Sequence, residues 1–398
     1  MDERTREYLT GRFRDHYRRN RPSPPPGAAD REWGFIPWTE GPGTTMVRHR
    51  SLLDLGDLGE FLQDRSPRHV YFSAGRYENP GARTMDEKGW QGSDLVFDLD
   101  ADHLPSVDPE TARYGDMLAA CKDALSRLLD LLASDFGFRD MEVVFSGGRG
   151  YHVHVRDDGV GELGREQRRE VVDYVRGNVG FEDLVETETV AGVGRETPAE
   201  KRTLRTDGGW SARAHRRIVD EARRLRDRDR DSALRELRER DGIGEKKAER
   251  LYRNVRDGAD RIREGNIDLS PEFVEFARRL TEETLRTESA PIDEPVTTDT
   301  RRLIRLPGSL HGGSGLAVRR IPRDDLDGFD PLVDAVPDTF VGQEIRVEVT
   351  ETPATAPGDA TELQLRGNSF TIEEGTQLVP EYLGVFLMAR GRARKAPE

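Results

Sequence analysis

The stretch MEVVFSGGRGYHVHV, Met141 to Val155, predicts a strand, a glycine turn and a second strand. Three glycines in so short a turn let backbone N–H groups approach an anion closely. Ser146, Arg149 and His152 add side chains that can donate to phosphate, whereas a plain hairpin needs only one or two glycines. We therefore predict an anion-binding turn. His154 faces the same way as His152 and fits either a supporting role or a place in the core.

A second predicted strand, SDLVFDLDADH (Ser93 to His103), is apolar and runs into acidic residues. Residues two apart in a strand face the same way, so the carboxylates of Asp98 and Asp100 meet where the strand leaves the core. Neighbouring carboxylates repel each other, and Mg²⁺ typically binds one or two carboxylates together with substrate phosphates. The pair fits a metal site and equally a solvated acidic strand end, because three more aspartates are nearby: Asp94, Asp102 and Asp108.

The third motif, RLPGSLHG (Arg305 to Gly312), places Arg305 and His311 on either side of a Pro-Gly turn. Asp293 precedes Arg305 by twelve residues. A strand–turn–strand with incidental polar residues is the alternative. Together the three motifs offer carboxylates for metal and Ser, Arg and His for phosphates, without a serine or cysteine nucleophile beside a matched base. This combination favours phosphoryl or nucleotidyl transfer by two metal ions.

The composition restricts the class of protein. The chain has 398 residues, 34% hydrophobic and 35% charged, so it can build a core under a densely charged surface. Its single cysteine, Cys121, excludes an internal disulfide and a multi-cysteine zinc site. No apolar run approaches the ~18–20 residues of a membrane helix, and the first residues are charged, unlike a signal peptide. We expect a soluble, cytoplasmic protein.

The charge is unevenly distributed along the chain. A formal net charge of −14 argues against a nucleic-acid partner, yet residues 211–260 contain 16 basic and 12 acidic side chains. Within this basic island, Ala233 to Val255 resembles a helix-hairpin-helix element that turns at Gly242-Ile243-Gly244. Such a turn presents backbone amides to a DNA phosphate, here beside Lys246 and Lys247. A glycine-capped connector in a solvated helical bundle is the alternative.

Strand patterns flank a charged helical block, so we expect an α/β domain that is discontinuous in sequence. We predict its first part at 1–164, a helical insertion at 165–268 and its second part at 269–398. The first twenty residues predict a helix, and Ser270-Pro271 predicts the start of another. Residues 351–361 predict a flexible loop.

The DLD pair, the SGGRGYH turn and the RLIRLPGSLHG segment occur in the order and spacing of a known family. The sequence resembles the small, catalytic subunit of archaeal and eukaryotic DNA primases over residues 5–160 and 270–392. Its acidic, arginine-rich composition favours a haloarchaeal source. The resemblance implies the archaeo-eukaryotic primase catalytic fold, a mixed two-sheet α/β core, here with the charged helical insertion.

Site residues follow from this resemblance at the matching positions. It implies that Asp98, Asp100 and Asp293 are catalytic and hold two Mg²⁺ or Mn²⁺ ions, with Asp299 competing for the third place. It also implies contacts to the triphosphate of the incoming nucleotide from a further group of residues: Ser146, Arg149, His152, Arg305 and His311.

The activity and partners are likewise implied by the resemblance. The implied activity is template-directed synthesis of short RNA primers, or of DNA as well, on single-stranded DNA, with release of pyrophosphate. Nucleoside triphosphates are the substrates, a large subunit completes a heterodimer, and the replication polymerases work alongside. Glu32 and Arg48 correspond to positions near the initiating nucleotide.

Two departures from the family pattern stand out. Many relatives carry a zinc knuckle after the DxD strand, but residues 102–122 offer only His103 and Cys121. A tetrahedral site is therefore not available, and we predict no structural zinc and a core position for Cys121. Gly148 stands where relatives often have a polar or basic residue.

Other functional classes stay open. A repair-type primase-polymerase of the same superfamily is the nearer alternative, although such enzymes are often fused to ligase or nuclease domains. The strand end DLDAD also resembles the nucleophile motif of haloacid-dehalogenase-like phosphatases, but the further motifs of that family have no convincing match. A non-catalytic nucleic-acid-binding subunit would have lost the acidic pair, which is present.

Overall fold

The computed structural model describes residues 1–39, 45–108, 111–190, 199–352 and 362–397. Most of the loop expected at 351–361 lies outside these ranges. The chain divides into two compact units: unit 1 comprises Met1–Ser126, Phe138–Val172 and Pro291–Glu398, and unit 2 comprises Arg127–Gly137 and Asp173–Ala290. The domain boundaries expected at 164 and 268 stay a prediction.

Strands and helices of the described residues are numbered in chain order. The strands are β1 (Arg31–Ile36), β2 (Val47–Arg50), β3 (His69–Tyr77), β4 (Trp90–Ser93), β5 (Leu95–Asp100), β6 (Met141–Phe145), β7 (Gly150–Val155), β8 (Val185–Val190), β9 (Ala199–Leu204), β10 (Leu303–Arg305), β11 (Arg319–Ile321), β12 (Glu344–Val349), β13 (Glu362–Leu365), β14 (Asn368–Thr371), β15 (Gly375–Pro380) and β16 (Ala393–Lys395). The helices are α1 (Glu3–Arg19), α2 (Leu52–Leu55), α3 (Leu58–Arg65), α4 (Met85–Lys88), α5 (Tyr114–Ser134), α6 (Arg165–Val175), α7 (Phe181–Leu184), α8 (Gly209–Asp227), α9 (Arg230–Glu239), α10 (Glu245–Asp257), α11 (Ala259–Arg263), α12 (Pro271–Glu288), α13 (Glu294–Thr298), α14 (Pro331–Asp334) and α15 (Glu381–Ala389).

The first sheet of unit 1 is antiparallel and has the order β10–β3–β1–β2, with β4 also paired to β3. The predicted helix in the first twenty residues is α1, which buries Leu9, Phe13 and Tyr17. Phe13 packs edge-on against Trp38, just past the end of β1, with ring centroids 5.1 Å apart. The apolar spacing of α1 therefore anchors it beside this sheet.

The second sheet of unit 1 is also antiparallel and has the order β11–β6–β7–β5. The predicted strand–turn–strand is the hairpin β6–β7, and the DLD strand is β5. Helix α5 packs on this sheet, where the Cys121 thiol lies 3.5 Å from the Leu99 carbonyl oxygen. Cys121 is fully buried, which confirms its predicted place in the core. The mixed two-sheet α/β core expected from the resemblance is confirmed.

The last part of the chain adds a small antiparallel sheet, β15–β12–β16, and the hairpin β13–β14 to unit 1. Helix α15 is strongly apolar and almost wholly buried, and it packs on β12. Its Glu381 is also buried and accepts hydrogen bonds from Tyr8 and Arg12 of α1. The first and last helices of the chain are thereby joined.

Unit 2 consists mainly of helices α8 to α12, packed around alanine, aliphatic and phenylalanine side chains. The helical prediction for this block is confirmed, and α12 begins at Pro271 with Ser270 Oγ accepting a hydrogen bond from the Phe273 amide at 3.2 Å. The prediction missed the hairpin β8–β9. Its first strand, VETETV, alternates β-branched and acidic residues, which is a strand signal. Among the described helices, none is long and apolar enough to cross a membrane.

Candidate active site

The predicted carboxylates lie around one cavity in unit 1. Asp98 is opposite His152 in the β5–β7 pairing. The main-chain amide of Asp293, just before α13, donates a hydrogen bond to the Asp98 carbonyl at 2.9 Å. Asp98, Asp100 and Asp293 therefore come from two distant segments and line a cavity of about 520 Å³. The other lining residues are Met46, Arg48, Tyr71, His103, His152, Asp299, Arg301, Arg302, Leu303, Ile304 and Arg305.

The Asp98 carboxyl binds a proton unusually well. Burial raises its pKa to about 7, and the charges of Asp100 and Asp293 act in the same direction. Arg305 and Arg302 oppose them. At neutral pH this carboxyl is close to half-protonated, so a cation placed beside it would compete with the proton.

The cavity offers carboxylate oxygens as a pair rather than as a closed cage. Among the described ranges, no group of three His, Cys, Asp or Glu side chains is gathered closely enough to hold one metal ion. Asp98 and Asp100 are on the same side of β5 and both reach the cavity. Such a pair matches Mg²⁺, which completes its octahedral shell with water and substrate phosphates.

The turn between β6 and β7 depends on its glycines. Gly147 has a φ of +77°, and a Cβ on Gly150 would lie 1.9 Å from a carbonyl oxygen of β5. Ser146 Oγ accepts a hydrogen bond from the Gly148 amide at 3.3 Å. The Tyr114 hydroxyl donates to the Gly148 carbonyl. Backbone and side chains thus hold the turn in one shape against β5.

His311 joins the third motif to this turn. Ser314 Oγ lies 3.2 Å from His311 Nδ1 and donates to the Gly147 carbonyl. A Cβ on Gly148 would lie 3.3 Å from His311 Nε2, so that nitrogen faces the turn. Burial, with the Arg305 charge, holds the pKa of His311 well below its ordinary value. The imidazole is therefore neutral at pH 7 and can offer an N–H without a fixed charge.

His152 of β7 and Arg305 of β10 line the cavity from different sheets. His152 is buried, its Nε2 lies 3.5 Å from Asp98 Oδ1, and burial, with the Arg305 charge, lowers its pKa well below the ordinary value. Arg305 is opposite Tyr71 in the β10–β3 pairing, and its guanidinium carbon lies 5.8 Å from that ring's centroid. Within the described part of the chain, His152 Nδ1 and Arg305 Nε are buried without a hydrogen-bond partner.

Arg149 is held at the rim by carboxylates. Its guanidinium forms an ion pair with Asp102, and its Nε lies 3.9 Å from Asp100 Oδ1. About one third of the Arg149 side chain is exposed, at 34%. A surface ion pair of this kind contributes little stability, so a phosphate could displace it.

These motifs all fall inside a match to a family model. The model of the DNA primase small subunit matches residues 97–322. The chain belongs to the DNA primase small subunit family. It is 61% identical to the DNA primase small subunit PriS of Haloarcula marismortui and 60% identical to that of Halobacterium salinarum, each over 100% of both chains. The PriS of Methanocella arvoryzae is 42% identical, again over 100% of both chains.

Family membership confirms the resemblance that the motifs suggested. The chain is the catalytic subunit of DNA primase, a nucleotidyltransferase that synthesises RNA primers. Dependence on a divalent metal is general in this family. The phosphatase interpretation of DLDAD and the non-catalytic interpretation are set aside.

In this primase chain, Glu32 lies behind the cavity rather than in its wall. It is 1% exposed and accepts hydrogen bonds from Arg48 Nε at 3.1 Å and the His49 amide at 3.0 Å. Lys88 forms a buried ion pair with it. Burial raises the pKa of Glu32, but the hydrogen bonds from Lys88, the His49 amide and Arg48 outweigh this and lower it. Arg48 lines the cavity, and Glu32 fixes its position.

Several residues that line this cavity or support its neighbours escaped the sequence analysis: Tyr71, Lys88, Tyr114, Arg302 and Ser314. Arg302 carried a signal, since RRLIR places three arginines within one short segment that begins a strand. Lys88 carried a weaker one, as one of only six lysines in the chain. Tyr114 contacts Gly148, and Ser314 contacts Gly147. The sequence around Tyr114 and Ser314 has no pattern that predicts these contacts.

The glycine hairpin of the helical block lies in unit 2. Gly242 has a φ of +70°, and Gly244 is the N-cap residue of α10. Ala248 and Leu251 are buried, as a helix-hairpin-helix element requires. Lys246 and Lys247 are exposed, and Lys247 Nζ donates to the Gly242 carbonyl at 3.1 Å.

Proposed function

We propose that the chain condenses nucleoside triphosphates into short RNA primers, or DNA as well, on a single-stranded DNA template. In this proposal it acts in the cytoplasm as the catalytic half of a heterodimer with a large subunit, supplying the replication polymerases. The observation that carries the proposal is the meeting of Asp98, Asp100 and Asp293 with Arg305 and His152 around one cavity. Acidic and basic groups around one cavity suit a metal-bound triphosphate.

Asp98, Asp100 and Asp293 are the proposed ligands of two Mg²⁺ or Mn²⁺ ions. Their donor set is entirely carboxylate oxygen, which both ions prefer. The raised pKa of Asp98 supports the fit, because crowded, partly buried carboxyls are stabilised by a cation between them. When bound, two such ions supply activation of the attacking hydroxyl and charge stabilisation for the departing pyrophosphate.

The side chains around the glycine turn are proposed to hold the triphosphate. Ser146, Gly148 and Arg149 bring a hydroxyl, an amide and a guanidinium to the turn, and Arg149 exchanges its carboxylate partners for phosphate oxygens. His152 and His311 are neutral and donate hydrogen bonds. Arg305 adds a fixed positive charge through its planar fork.

Arg48 is proposed to contact the initiating nucleotide, with Glu32 as its positioning residue. The buried Lys88 of α4 holds the carboxylate of Glu32 in place, so the direction of Arg48 is set before a nucleotide arrives. This arrangement supports a division of the cavity into an incoming-nucleotide side and an initiating-nucleotide side.

We also propose that the chain carries no structural zinc and that the hairpin of unit 2 contacts DNA. Residues 102–122, after β5, offer only His103 and Cys121, and Cys121 is buried on the side of α5 that contacts β5. The hairpin residues are Gly242, Gly244, Lys246 and Lys247, where a helix N-terminus and two ammonium groups suit a phosphate.

The test is primer synthesis on unprimed single-stranded DNA by the complex with its large subunit, with Mn²⁺ or Mg²⁺ and labelled nucleotide. We expect oligonucleotide products from wild type and none from an Asp98→Ala/Asp100→Ala variant. Asp123→Ala, an exposed acid on α5, is the matched control and keeps wild-type activity. A wild-type complex without products, or a double variant as active as wild type, would overturn the proposed function. One equivalent of tightly held zinc in purified protein would contradict the zinc statement.

A further inference from the structure

A second cavity of about 480 Å³ lies in unit 1, between α1 and the end of β1. Arg6 and Arg14 line it from α1, Arg65 from the end of α3, and Phe35 and Trp38 from β1 and just beyond. Among the described residues, Glu7 is the only acidic one that lines it. In a chain with a net charge of −14, three arginines against one acid form a locally basic site.

Two of the three arginines, Arg14 and Arg65, offer their positive charge to a ligand. Arg14 and Arg65 are both exposed, and neither makes an ion pair among the residues that the structure describes. Elsewhere in the chain, arginines such as Arg12, Arg31 and Arg213 are paired with carboxylates. Arg14 and Arg65 therefore keep their donors free for an anion.

The spacing of the arginines favours an extended anion. Arg6 and Arg14 are eight residues apart on one face of α1, which corresponds to about 12 Å along the helix. Positive charge is thus spread along the helix, which suits a phosphate backbone that follows it better than a single phosphate group. The aromatic rings of Phe35 and Trp38 beside it match the interleaving of stacking surfaces and cations that binds single strands.

Trp38 is held in a fixed orientation. Its indole Nε1 donates to the Ser66 carbonyl at 3.0 Å, and Phe13 contacts its ring edge-on. The ring is partly exposed. A fixed and partly exposed indole loses little conformational freedom when a base stacks on it.

Arg68 connects this cavity to the active site. Its guanidinium carbon lies 5.7 Å from the Trp38 ring centroid, and its Nε donates to the Gly312 carbonyl at 3.3 Å. Gly312 follows His311, whose ring packs edge-on against His69 at 4.9 Å between centroids. A continuous series of cationic and aromatic side chains therefore runs from the phosphate-binding motifs to the second cavity.

We propose that the single-stranded DNA template passes from the active site over Arg68 and Trp38 into this second cavity, where Arg14 and Arg65 bind its phosphates. The proposal rests on the proposed function and adds the path of the template to it. The chemistry required of the ligand is a flexible polyanion with aromatic bases, which double-stranded DNA with its stacked bases does not offer.

The test is binding of a fluorescein-labelled oligothymidylate to the full chain, followed by fluorescence anisotropy over a series of KCl concentrations. Arg14→Glu/Arg65→Glu should raise the Kd at least about tenfold, and should make the slope of log K against log salt shallower by about 1.4, since each lost phosphate contact on a single strand changes it by about 0.7. Trp38→Ala should raise the Kd with little change in slope, and Trp38→Phe should restore part of the affinity. The matched control is Arg4→Glu/Arg19→Glu, an equal charge change at exposed residues of α1 outside the cavity, which leaves the Kd unchanged.

Two results would overturn the template path. One is oligothymidylate affinity in Arg14→Glu/Arg65→Glu equal to that of the control variant. The other is loss of large-subunit binding in that variant with unchanged oligothymidylate affinity, which would make the cavity a protein docking surface. Primer synthesis by the wild-type complex separates failure of the template path from failure of the proposed function. If wild type makes products and either result above is found, only the template path is rejected. If wild type makes no products, the proposed function itself is rejected.

Discussion

His152 Nε2 lies 3.5 Å from Asp98 Oδ1, yet the two groups do not form an ordinary ion pair. Burial raises the pKa of Asp98 to about 7 and holds the pKa of His152 well below its ordinary value, to which the Arg305 charge adds. At neutral pH the contact therefore joins a neutral imidazole to a partly protonated carboxyl. Occupation of the cavity by a cation would convert that carboxyl to the carboxylate.

Mn²⁺ binding is therefore expected to depend on pH in the neutral range. Below pH 7 each bound ion displaces a proton from Asp98, so the apparent affinity should rise about tenfold per pH unit and level off above 7. Calorimetric titration of the full chain between about pH 5.5 and 8.5 measures this directly. Asp98→Asn should abolish the pH dependence together with most of the binding. A wild-type affinity that is flat across this range would contradict Asp98 as the titrating ligand.

In the absence of metal, the same carboxyl should make stability fall as pH rises. Its pKa goes from 3.8 to about 7 on folding, so the stabilising proton is held in full below about pH 4 and lost as pH rises through 7. Asp98→Asn should be free of this loss, and its melting temperature should exceed that of wild type most clearly above pH 7. Asp123→Asn, the exposed acid on α5, should follow the wild-type curve. Parallel curves for wild type and Asp98→Asn would assign the pH dependence to another group.

Gly150→Ala should damage the site through the backbone. The added Cβ would lie 1.9 Å from a carbonyl oxygen of β5, so β5 and β7 must move apart beside Asp100. Overpacking of this kind costs about 1–3 kcal/mol, and we expect the upper end because the close atom is backbone. Gly115→Ala on α5, where a Cβ meets only one side chain at 3.8 Å, is the control. Urea unfolding measures the stability of both variants. Equal midpoints would show that β5 and β7 can move apart without loss of stability.

Glu32→Gln should destabilise unit 1 because it leaves the buried Lys88 ammonium without its carboxylate. Removing one partner of a buried pair costs about 3–5 kcal/mol, whereas replacing both charges by apolar groups costs much less. Glu32→Gln/Lys88→Met should therefore unfold at a higher urea concentration than Glu32→Gln. A double variant that unfolds at a lower urea concentration than Glu32→Gln would contradict this expectation. It would show that Lys88 stabilises unit 1 even without the carboxylate of Glu32.

Gly244→Val should lower DNA affinity without unfolding unit 2. A Cβ on Gly244 meets nothing within 4 Å, and its φ of −80° suits any residue, so the added side chain only keeps a phosphate away from the α10 amides. Gly242→Val should lower affinity and stability together, because its φ of +70° strains a β-branched residue. Gly328→Val, also uncrowded, is the control, and nucleotide affinity should be unchanged in Gly244→Val. Unchanged DNA affinity in Gly244→Val would leave the hairpin as a connector.

The sequence predicted well those parts of the site that lie within one strand or turn. Asp98 and Asp100 share a side because strands have a period of two, while Gly147 is required by its positive φ and Gly150 by its close approach to β5. Helix α12 begins at its Ser-Pro signal for an equally local reason.

Contacts between distant segments were beyond sequence reasoning, except where the family resemblance supplied them. Nothing local to Lys88 indicates that it meets Glu32, 56 residues earlier, and nothing in α5 indicates that Tyr114 holds Gly148. Such contacts depend on how whole strands and helices pack, and this packing cannot be inferred from local patterns in a single sequence. The second basic cavity was missed for the same reason, because its arginines come from α1 and α3.

The hydrogen bond from the Asp293 amide to the Asp98 carbonyl also sets an order of events during protein synthesis. The two residues are 195 positions apart in the chain. At about 5–20 residues per second, the ribosome completes β5 roughly 10–40 s before it adds the residue that closes the cavity wall. A nascent chain can thus form β5, β6 and β7 while it is still without its third carboxylate and Arg305. The enzyme is expected to stay silent on the ribosome until its last third has been made.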